Sequence, residues 1–185
     1  YIDDLEGATD DGGGRGDFGA TDPRTVLNGE VYSRQTAVFQ EAEDADGDGV
    51  TYFADAEGND GAWSGNETIR LQPGQSREFE WTVDYTVPQN EAAGTFVFAA
   101  PTDPTPGLDI TIDVDGGGTV TLASFPEGAL NASADQFDLQ TFIEPLNPSS
   151  IGDLPAGTHS ITIEVTEGEA LFLDFAHFRD DRFAY

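Results

Sequence analysis

The segment Arg77–Val87 reads REFEWTVDYTV, and its odd-numbered and even-numbered residues differ in polarity throughout. The apolar members are Phe79, Trp81, Val83, Tyr85 and Val87, and the polar members are Glu78, Glu80, Thr82, Asp84 and Thr86. Successive side chains of a β-strand point to opposite faces of the sheet, so this period of two predicts a long, half-buried strand.

The same alternation returns further along the chain, over Leu108–Val114 and Ser160–Val165. Shorter candidate strands are Val31–Phe39, Val50–Ala54, Thr68–Leu71, Thr95–Ala99, Thr119–Ser124 and Phe137–Ile143. Turns rich in Gly, Pro, Asn and Asp separate these segments, and no helical periodicity competes with them. About ten strands in this arrangement predict an all-β fold, an antiparallel β-sandwich of the jelly-roll type.

One candidate strand, Leu171–Phe178, is apolar on both faces, which predicts a central strand covered on both sides. Asp174 within it then lies in apolar surroundings, where an unpartnered carboxylate is costly. Because the chain has few cationic residues, a bound metal ion is a candidate partner for Asp174.

The charge of the chain is strongly one-sided, with 36 Asp and Glu against 7 cationic residues, all Arg, and a net charge of -29 over 185 residues. This charge argues against binding to nucleic acid and against insertion into a membrane. Self-repulsion of this size destabilises a compact fold, and molar salt screens it. We therefore expect a salt-adapted source and a high-salt environment.

The chain also changes character along its length. Residues 1–30 are rich in Gly and Asp and predict an acidic linker or arm. The sandwich domain is expected over residues 31–178, and residues 179–185 are expected to connect it to a next segment. The sequence opens on Tyr1 without a leader, so we expect a processed product or a piece of a longer protein.

A second acidic motif lies between the first candidate strands. Its carboxylates are Asp44, Asp46, Asp48 and, at the twelfth position, Asp55. This spacing, with a glycine at Gly49, matches a calcium-binding loop in which alternate carboxylates surround one ion. Two alternatives stay open: an acidic solvent-exposed loop typical of halophilic surfaces, or one ion shared with the neighbouring Glu43.

Several motifs, in the order in which they occur, resemble family 6 and family 35 carbohydrate-binding modules, which are galactose-binding-like jelly rolls. The motifs are Gln40–Ala45, Glu78–Val83, Ala93–Phe96, Ile112–Gly116, Leu154–Ile161 and Leu173–Phe175. The resemblance implies a structural Ca²⁺ held by Glu41, Glu43 and Asp174. Carboxylates are suitable hard-oxygen ligands for that ion.

The resemblance also implies a glycan site at which an aromatic ring stacks on a sugar. Trp63 is the best candidate because small residues flank it, and Tyr52 and Phe137 are further candidates. The alternative is that Trp63 anchors its loop on the sandwich. Phe137 and Phe142 occupy the region where the family often has a Trp-bearing loop, so the chain departs from the usual pattern there.

The acidity without lysine and the final segment resemble a tail-fibre or receptor-binding component of a haloarchaeal tailed virus, or a haloarchaeal surface protein. We therefore predict a non-catalytic domain, outside the cell or on a virion, that recognises a cell-surface glycan or glycoprotein during host attachment. Further partners would be copies of itself or virion neighbours.

Two alternatives to this function remain: a purely structural virion or cell-surface module, and an ancillary domain of a secreted glycosidase. No enzymatic activity is expected, because His159 and His177 lack a partner nucleophile or a metal-ligand spacing.

Overall fold

A computed structural model describes residues 37–53 and 62–180 of the chain. The chain divides into two units, Tyr1–Val38 and Phe39–Tyr185, and the sites analysed below lie in the second. The expected arm over residues 1–30, Asp55, and residues 181–185 of the expected connector lie outside the described residues. Within the described ranges, no helix has the length and apolar character needed to cross a membrane.

The described residues form eleven strands. They are β1 (Ala37–Glu41), β2 (Asp46–Gly47), β3 (Val50–Phe53), β4 (Glu67–Leu71), β5 (Ser76–Val83), β6 (Ala92–Ala99), β7 (Gly107–Val114), β8 (Gly118–Phe125), β9 (Gln140–Pro145), β10 (Gly157–Glu167) and β11 (Leu171–Asp180). Sheet I has the order β3-β4-β11-β6-β9, with β1 also paired to β11, and sheet II has the order β2-β5-β10-β7-β8. The predicted antiparallel β-sandwich is confirmed.

The core lies between the two sheets and follows the alternation in the sequence. Phe79 and Trp81 of β5 are fully buried. Their rings lie 6.0 and 6.3 Å from the ring of Phe178, which reaches them from β11 in the other sheet. Burial of each such side chain stabilises the fold by about 1.5 to 3 kcal/mol. The aromatic residues therefore join the two sheets across the sandwich.

The central strand of sheet I, β11, contains a β-bulge. Its pairing with β6 shifts register between Leu173 and Phe175. Before the shift the inward residues are the odd-numbered Leu171 and Leu173, and after it they are even-numbered, as Phe178 is. A bulge adds one residue to a strand and so changes which residues face inward. The predicted central position of the strand is confirmed, and Leu171–Asp174 are buried on both faces, whereas Phe175, His177 and Arg179 are only partly buried.

Several strand boundaries differ from the sequence-based expectation. The long strand predicted to run through Val87 ends at Val83, and Val87 instead forms an isolated bridge with Leu154. β11 continues through Arg179 and Asp180, the first two residues of the expected connector.

The predicted strand Phe137–Ile143 begins three residues late, at Gln140. The carboxylate of Asp135 accepts hydrogen bonds from the backbone N–H groups of Phe137 and Asp138. An aspartate that bonds to the backbone two or three residues ahead favours a turn over a strand. Phe137 therefore lies in a loop.

Candidate functional site

Three carboxylates from two distant segments of the chain interact at the bulge in β11. Glu41 ends β1, Glu43 follows it in the next turn, and Asp174 lies at the bulge. The backbone N–H of Ala42 donates a hydrogen bond of 2.8 Å to the carbonyl oxygen of Asp174, which fixes the end of β1 against β11. We call these three side chains the carboxylate cluster.

A short turn, Ser64–Asn66, closes over the carboxylate cluster. The backbone N–H of Ser64 donates to Oδ1 of Asp174 at 2.9 Å, and the Ser64 hydroxyl donates to Oε1 of Glu41 at 2.7 Å. Gly65 in this turn has φ of +61°, and a Cβ atom there would lie 3.2 Å from Oε1 of Glu43. A glycine adopts this backbone conformation without strain and lets the turn approach the cluster closely.

The carboxylate cluster is short of positive charge and of hydrogen-bond donors. Asp174 is 1% exposed, and Oε2 of Glu41 and Oε2 of Glu43 are buried without a hydrogen-bond partner. Burial, together with the negative charges of Glu41 and Glu43, raises the pKa of Asp174 to about 7, although the Ser64 N–H lowers it. Burial also raises the pKa of Glu43. A cation would relieve both effects.

Among residues 37–53 and 62–180, no group of three or more His, Cys, Asp or Glu side chains is arranged so that it could hold a metal ion as it stands. The carboxylate cluster supplies unpaired oxygen atoms beside a backbone turn. Hard cations such as Ca²⁺ are bound by carboxylate and backbone oxygens together. The donor chemistry of the cluster therefore fits Ca²⁺.

The calcium-loop motif is organised around an arginine. Asp46 and Gly47 pair with β5 next to Arg77, which is 8% exposed and whose guanidinium donates a hydrogen bond to the carbonyl oxygen of Ala45. Burial lowers the pKa of Arg77, whereas Asp48, Asp46 and Glu43 raise it. The positive charge among these carboxylates is thus supplied by the chain itself.

The side chains of Asp44, Asp46 and Asp48 are exposed to solvent. The sequence places Arg77 among the inward-facing odd positions of β5, but nothing in the loop motif indicates that the two are in contact.

Trp63 is buried, with 3% of its surface exposed, and does not present an open ring. Its ring stacks on Phe137 at 4.7 Å, and its Nε1 donates to the carbonyl oxygen of Gln136 at 2.9 Å. Phe172 and Ala99 complete this packing. The expectation of an exposed Trp63 is wrong, because Phe137 from a distant loop covers it. The alternative, a loop anchor, describes its packing.

Of the three aromatic candidates, Tyr52 is the most exposed, at 37%. The centroid of its ring lies 5.7 Å from that of Phe172 in an edge-to-face arrangement. Phe172 in turn packs against Trp63. Phe137 is half-buried against Trp63. The structure therefore brings Tyr52, Phe172, Trp63 and Phe137 together as one aromatic cluster, of which Phe172 was missed in the sequence because it reads as a strand residue.

His159, one of the two histidines, lies in a buried position. His159 is fully buried, its Nδ1 accepts a hydrogen bond from the Asp115 N–H, and its Nε2 bonds to the carbonyl oxygen of Pro155. These contacts use both ring nitrogens, and burial lowers the pKa of His159. His159 therefore serves as a neutral structural bridge between two loops.

A separate cavity of about 440 Å³ lies among the loops that follow β6, β8 and β10. Its lining residues are Thr102, Asp103, Pro104, Glu127, Gly168 and Glu169. No aromatic ring lines this cavity, so stacking on a sugar has no support there.

No family model matches the chain, and no curated protein matches it. Among solved structures, the CBM35 from Cellvibrio japonicus Abf62 aligns with a TM-score of 0.52 and 16% identity over 77% of this chain and 92% of that chain. The C-terminal CBM6 of LamC, a marine laminarinase from Zobellia galactanivorans, aligns with a TM-score of 0.50 and 11% identity over 77% of this chain and 98% of that chain.

A third similar structure is the exo-beta-1,3-galactanase from Phanerochaete chrysosporium with galactose, with a TM-score of 0.51 and 16% identity over 77% of this chain. The match covers 29% of the galactanase, so this chain spans less than a third of that enzyme. At these identities the likeness is one of fold, and this chain shares that fold with carbohydrate-binding modules.

Proposed function

We propose that this chain is a non-catalytic glycan-recognition domain. The observation that carries the proposal is the near-complete coverage of two carbohydrate-binding modules, 92% and 98% of their lengths, by the sandwich of this chain. In the finer form of the proposal, the domain belongs to a halophilic cell-surface protein or to the tail fibre of a virus. It acts outside the cell or on the virion, in high salt.

The aromatic cluster is the proposed place of glycan contact. Tyr52 offers the exposed ring on which a sugar stacks, Phe172 contacts that ring from below, and the buried Trp63 packs against Phe172. Stacking on a ring that is already fixed costs little conformational entropy. Trp63 thus contributes by positioning Tyr52, which differs from the direct contact that its sequence context suggested.

Ca²⁺ is the proposed structural cofactor, held by Glu41, Glu43 and Asp174. When bound, it supplies the positive charge that the carboxylate cluster lacks. Ser64 orients Asp174 and Glu41 through its backbone N–H and hydroxyl. Trp63, the residue before Ser64, anchors the same turn, so the cation site and the aromatic cluster share one short segment.

Glycan binding is tested with an array of surface glycans in molar NaCl. Tyr52→Ala is expected to abolish detectable binding while leaving the melting temperature within about 2 °C, since an exposed ring contributes little to stability. The matched control is Phe53→Ala, which removes an exposed aromatic side chain from the neighbouring position of β3. Binding that survives Tyr52→Ala, or an array without any hit, would contradict the proposed site.

An ancillary domain of a glycosidase is the second candidate function. The observation that favours it is the alignment with 29% of the exo-beta-1,3-galactanase, which is the share expected of one domain in a larger enzyme. The sequence of the parent gene on either side of this chain decides between a catalytic neighbour and a structural one. A chain that packs only against virion or cell-surface neighbours would show no glycan binding in the array.

A further inference from the structure

Arg70 lies on β4 beside the aromatic cluster. It is paired with Val50 of β3 on one side and with Phe172 of β11 on the other. Residues directly opposite each other in neighbouring antiparallel strands share one face of the sheet. The neighbours of Arg70 along β4, Ile69 and Leu71, are fully buried in the core. Arg70, Val50 and Phe172 therefore lie on the face of sheet I that points away from the core.

The ring of Tyr52 reaches the same place. Tyr52 follows Val50 by two residues on β3, so it shares this face, and it is paired with Thr68 of β4. Since β4 lies between β3 and β11, the rings of Tyr52 and Phe172, with centroids 5.7 Å apart, meet over β4. Arg70 is the next residue after Thr68 on this face. It is a diagonal neighbour of Tyr52, about 7 to 8 Å away, which is within reach of long side chains.

Arg70 is a cation without a partner. It is half-buried, and within the described part of the chain it takes part in no hydrogen bond and no ion pair. The two other described arginines are bonded, Arg77 to the carbonyl oxygen of Ala45 and Arg179 to the hydroxyl of Thr95. Partial burial is unfavourable for a charge that lacks a counter-charge. In a chain with 36 acidic residues, a half-buried cation that pairs with none of them points to an anion supplied by a ligand.

Two carboxylates close to Arg70 or to its partner on β3 act on other groups. Asp48, at the start of β3, raises the pKa of Arg77. Glu67 shares the inward, odd-numbered parity of β4, and its negative charge raises the pKa of Glu43. Neither of them is paired with Arg70.

Asp174, two residues after Phe172 on β11, is the other carboxylate near this face. Its Oδ1 accepts the hydrogen bond from Ser64, and the charges that act on its pKa are those of Glu41 and Glu43. Arg70 is not the cation that the carboxylate cluster lacks. Its positive charge stays available to a ligand on Tyr52.

A guanidinium selects its partner by geometry as well as by charge. Its N–H groups form a planar fork that donates two parallel hydrogen bonds to a carboxylate or to a tetrahedral oxyanion. A sugar stacked on Tyr52 brings its ring substituents to the side of β4 from which Arg70 extends. A neutral sugar would leave the guanidinium without its counter-charge, so a site of this kind discriminates against it.

We propose that the glycan bound at Tyr52 is acidic, and that Arg70 selects it by pairing with a carboxylate or sulfate group of the sugar. This inference rests on the glycan contact proposed above and adds the chemical class of the sugar. Tyr52 supplies the stacking surface, and Arg70 supplies the discrimination between acidic and neutral sugars.

The net charge of -29 opposes such a ligand at low salt. At about 1 M salt the screening length falls to about 3 Å, which removes the repulsion from distant carboxylates. A direct contact with a half-buried guanidinium is screened much less. Binding of an acidic sugar is therefore expected to strengthen between low and molar NaCl, whereas an ordinary exposed ion pair weakens.

The test compares two matched pairs of sugars by isothermal titration calorimetry in molar NaCl with a constant concentration of Ca²⁺. Trigalacturonate is compared with its methyl ester, and sulfated lactose with lactose. The unmodified chain is expected to bind the acidic member of at least one pair about tenfold more tightly, because hydrogen bonds to charged groups are the stronger ones. The pair that shows the preference distinguishes a carboxylate from a sulfate.

Three variants assign this preference to Arg70. Arg70→Met is expected to bind the acidic and neutral members within about twofold of each other. Arg70→Lys keeps the charge without the fork of donors, so its preference should lie between those of Arg70→Met and the unmodified chain. Arg179→Met is the matched control, since it removes the same charge from β11, and it should keep the full preference. Circular dichroism checks that all three are folded.

Several outcomes would overturn this inference. Equal binding of acidic and neutral sugars that still depends on Tyr52, or array hits among neutral glycans alone, would do so and leave the proposed function standing. An array without any hit would overturn both. A preference that survives Arg70→Met and disappears in EGTA would mean that the acidic group binds a cation at the carboxylate cluster. Binding of poly-glutamate with the same dependence on Arg70 would indicate an acidic peptide as the ligand.

Discussion

Two acidic regions lie side by side between β1 and β3, and they differ in the positive charge available to them. In the carboxylate cluster, buried oxygens of Glu41 and Glu43 have no hydrogen-bond partner, and the pKa of Asp174 is raised to about 7. In the following loop, Asp46 and Asp48 are exposed and lie near the buried guanidinium of Arg77. We call this second region the arginine cluster.

The difference shows that exposed and buried carboxylates need different partners. Exposed carboxylates are solvated by water and screened by salt, and they need no specific partner. Buried carboxylates need a positive charge in contact with them, from a side chain or from a bound ion. The arginine cluster contains its cation, whereas the carboxylate cluster has none among its hydrogen-bonding partners. The comparison therefore predicts that only one of the two regions responds to an added ion.

The largest expected effect comes from removing the internal cation. Arg77→Met should lower the free energy of unfolding by about 3 kcal/mol, because it removes a hydrogen bond from a charged donor and leaves a buried carbonyl oxygen unsatisfied. The carbonyl oxygen of Ala45 would lose its donor, and the loop after Glu43 would lose its link to β5. Urea denaturation at constant molar NaCl measures this change.

Arg70→Met is the matched control for Arg77→Met. Arg70 is half-buried, and its strand pairing places it beside Phe172 and Val50. Its substitution should change the free energy of unfolding by less than about 1 kcal/mol. Similar losses in the two variants would show that Arg77 contributes no more than an ordinary strand arginine and would remove one side of the comparison.

The next effect comes from adding calcium. At a free Ca²⁺ concentration about 100 times the dissociation constant, binding to the folded state adds about 2.7 kcal/mol to its stability. For a chain of this size that corresponds to a rise in melting temperature of roughly 5 to 10 °C. Differential scanning calorimetry with EGTA or with Ca²⁺, at constant molar NaCl, measures the shift.

Two double variants locate this calcium effect. Glu41→Gln with Glu43→Gln should abolish the shift, since both neutral amides are poor calcium ligands. Asp46→Asn with Asp48→Asn should leave it unchanged. A shift that follows the second pair would place the ion in the loop after Glu43, and a melting temperature indifferent to Ca²⁺ would contradict both proposed metal sites.

A smaller effect concerns pH in the absence of calcium. The pKa of Asp174 is raised on folding, so between about pH 4 and pH 7 the folded chain keeps a proton that the unfolded chain has lost. Stability should therefore fall as the pH rises through this window. The net fall should be about 1 to 2 kcal/mol, because the lowered pKa of His159 contributes the opposite slope near the upper end.

Asp174→Asn separates these two contributions. The amide cannot ionise and still accepts the hydrogen bond from Ser64, so most of the fall between pH 4 and pH 7 should disappear and the calcium shift with it. A smaller fall should remain, because the pKa of Glu43 is also raised. Urea denaturation in EGTA across this range makes the measurement. A fall of the same size in Asp174→Asn would mean that other groups carry the pH dependence.

The sequence predicted the parts of this molecule that depend on local pattern. Alternation located β5, β7 and β10, and the two apolar faces of Leu171–Phe178 identified Asp174 as a buried carboxylate. Arg77 also carried a readable signal, since it shares the inward parity of Phe79 and Trp81. A charged residue at an inward position predicts a buried ionic contact.

The remaining features depend on contacts between distant segments. Trp63 is covered by a loop whose nearest hydrogen-bonding residue, Gln136, lies 73 positions away, and nothing near Trp63 in the sequence indicates this. Ser64 and Gly65 approach the carboxylate cluster through a turn with positive φ, which composition alone does not locate. Their roles follow from tertiary structure, and a single sequence without its fold does not specify them.

The smallest expected effect tests whether the arginine cluster needs its own carboxylates. Asp48→Asn removes an attraction to Arg77 but also removes one negative charge from a chain of net charge -29. Because Asp48 is exposed, both contributions are small and opposite in sign, and the free energy of unfolding should change by less than about 0.5 kcal/mol. In molar NaCl both are screened further. A loss above 1 kcal/mol in urea denaturation would show that Arg77 depends on this carboxylate as strongly as Asp174 depends on a cation, and the two regions would then be alike.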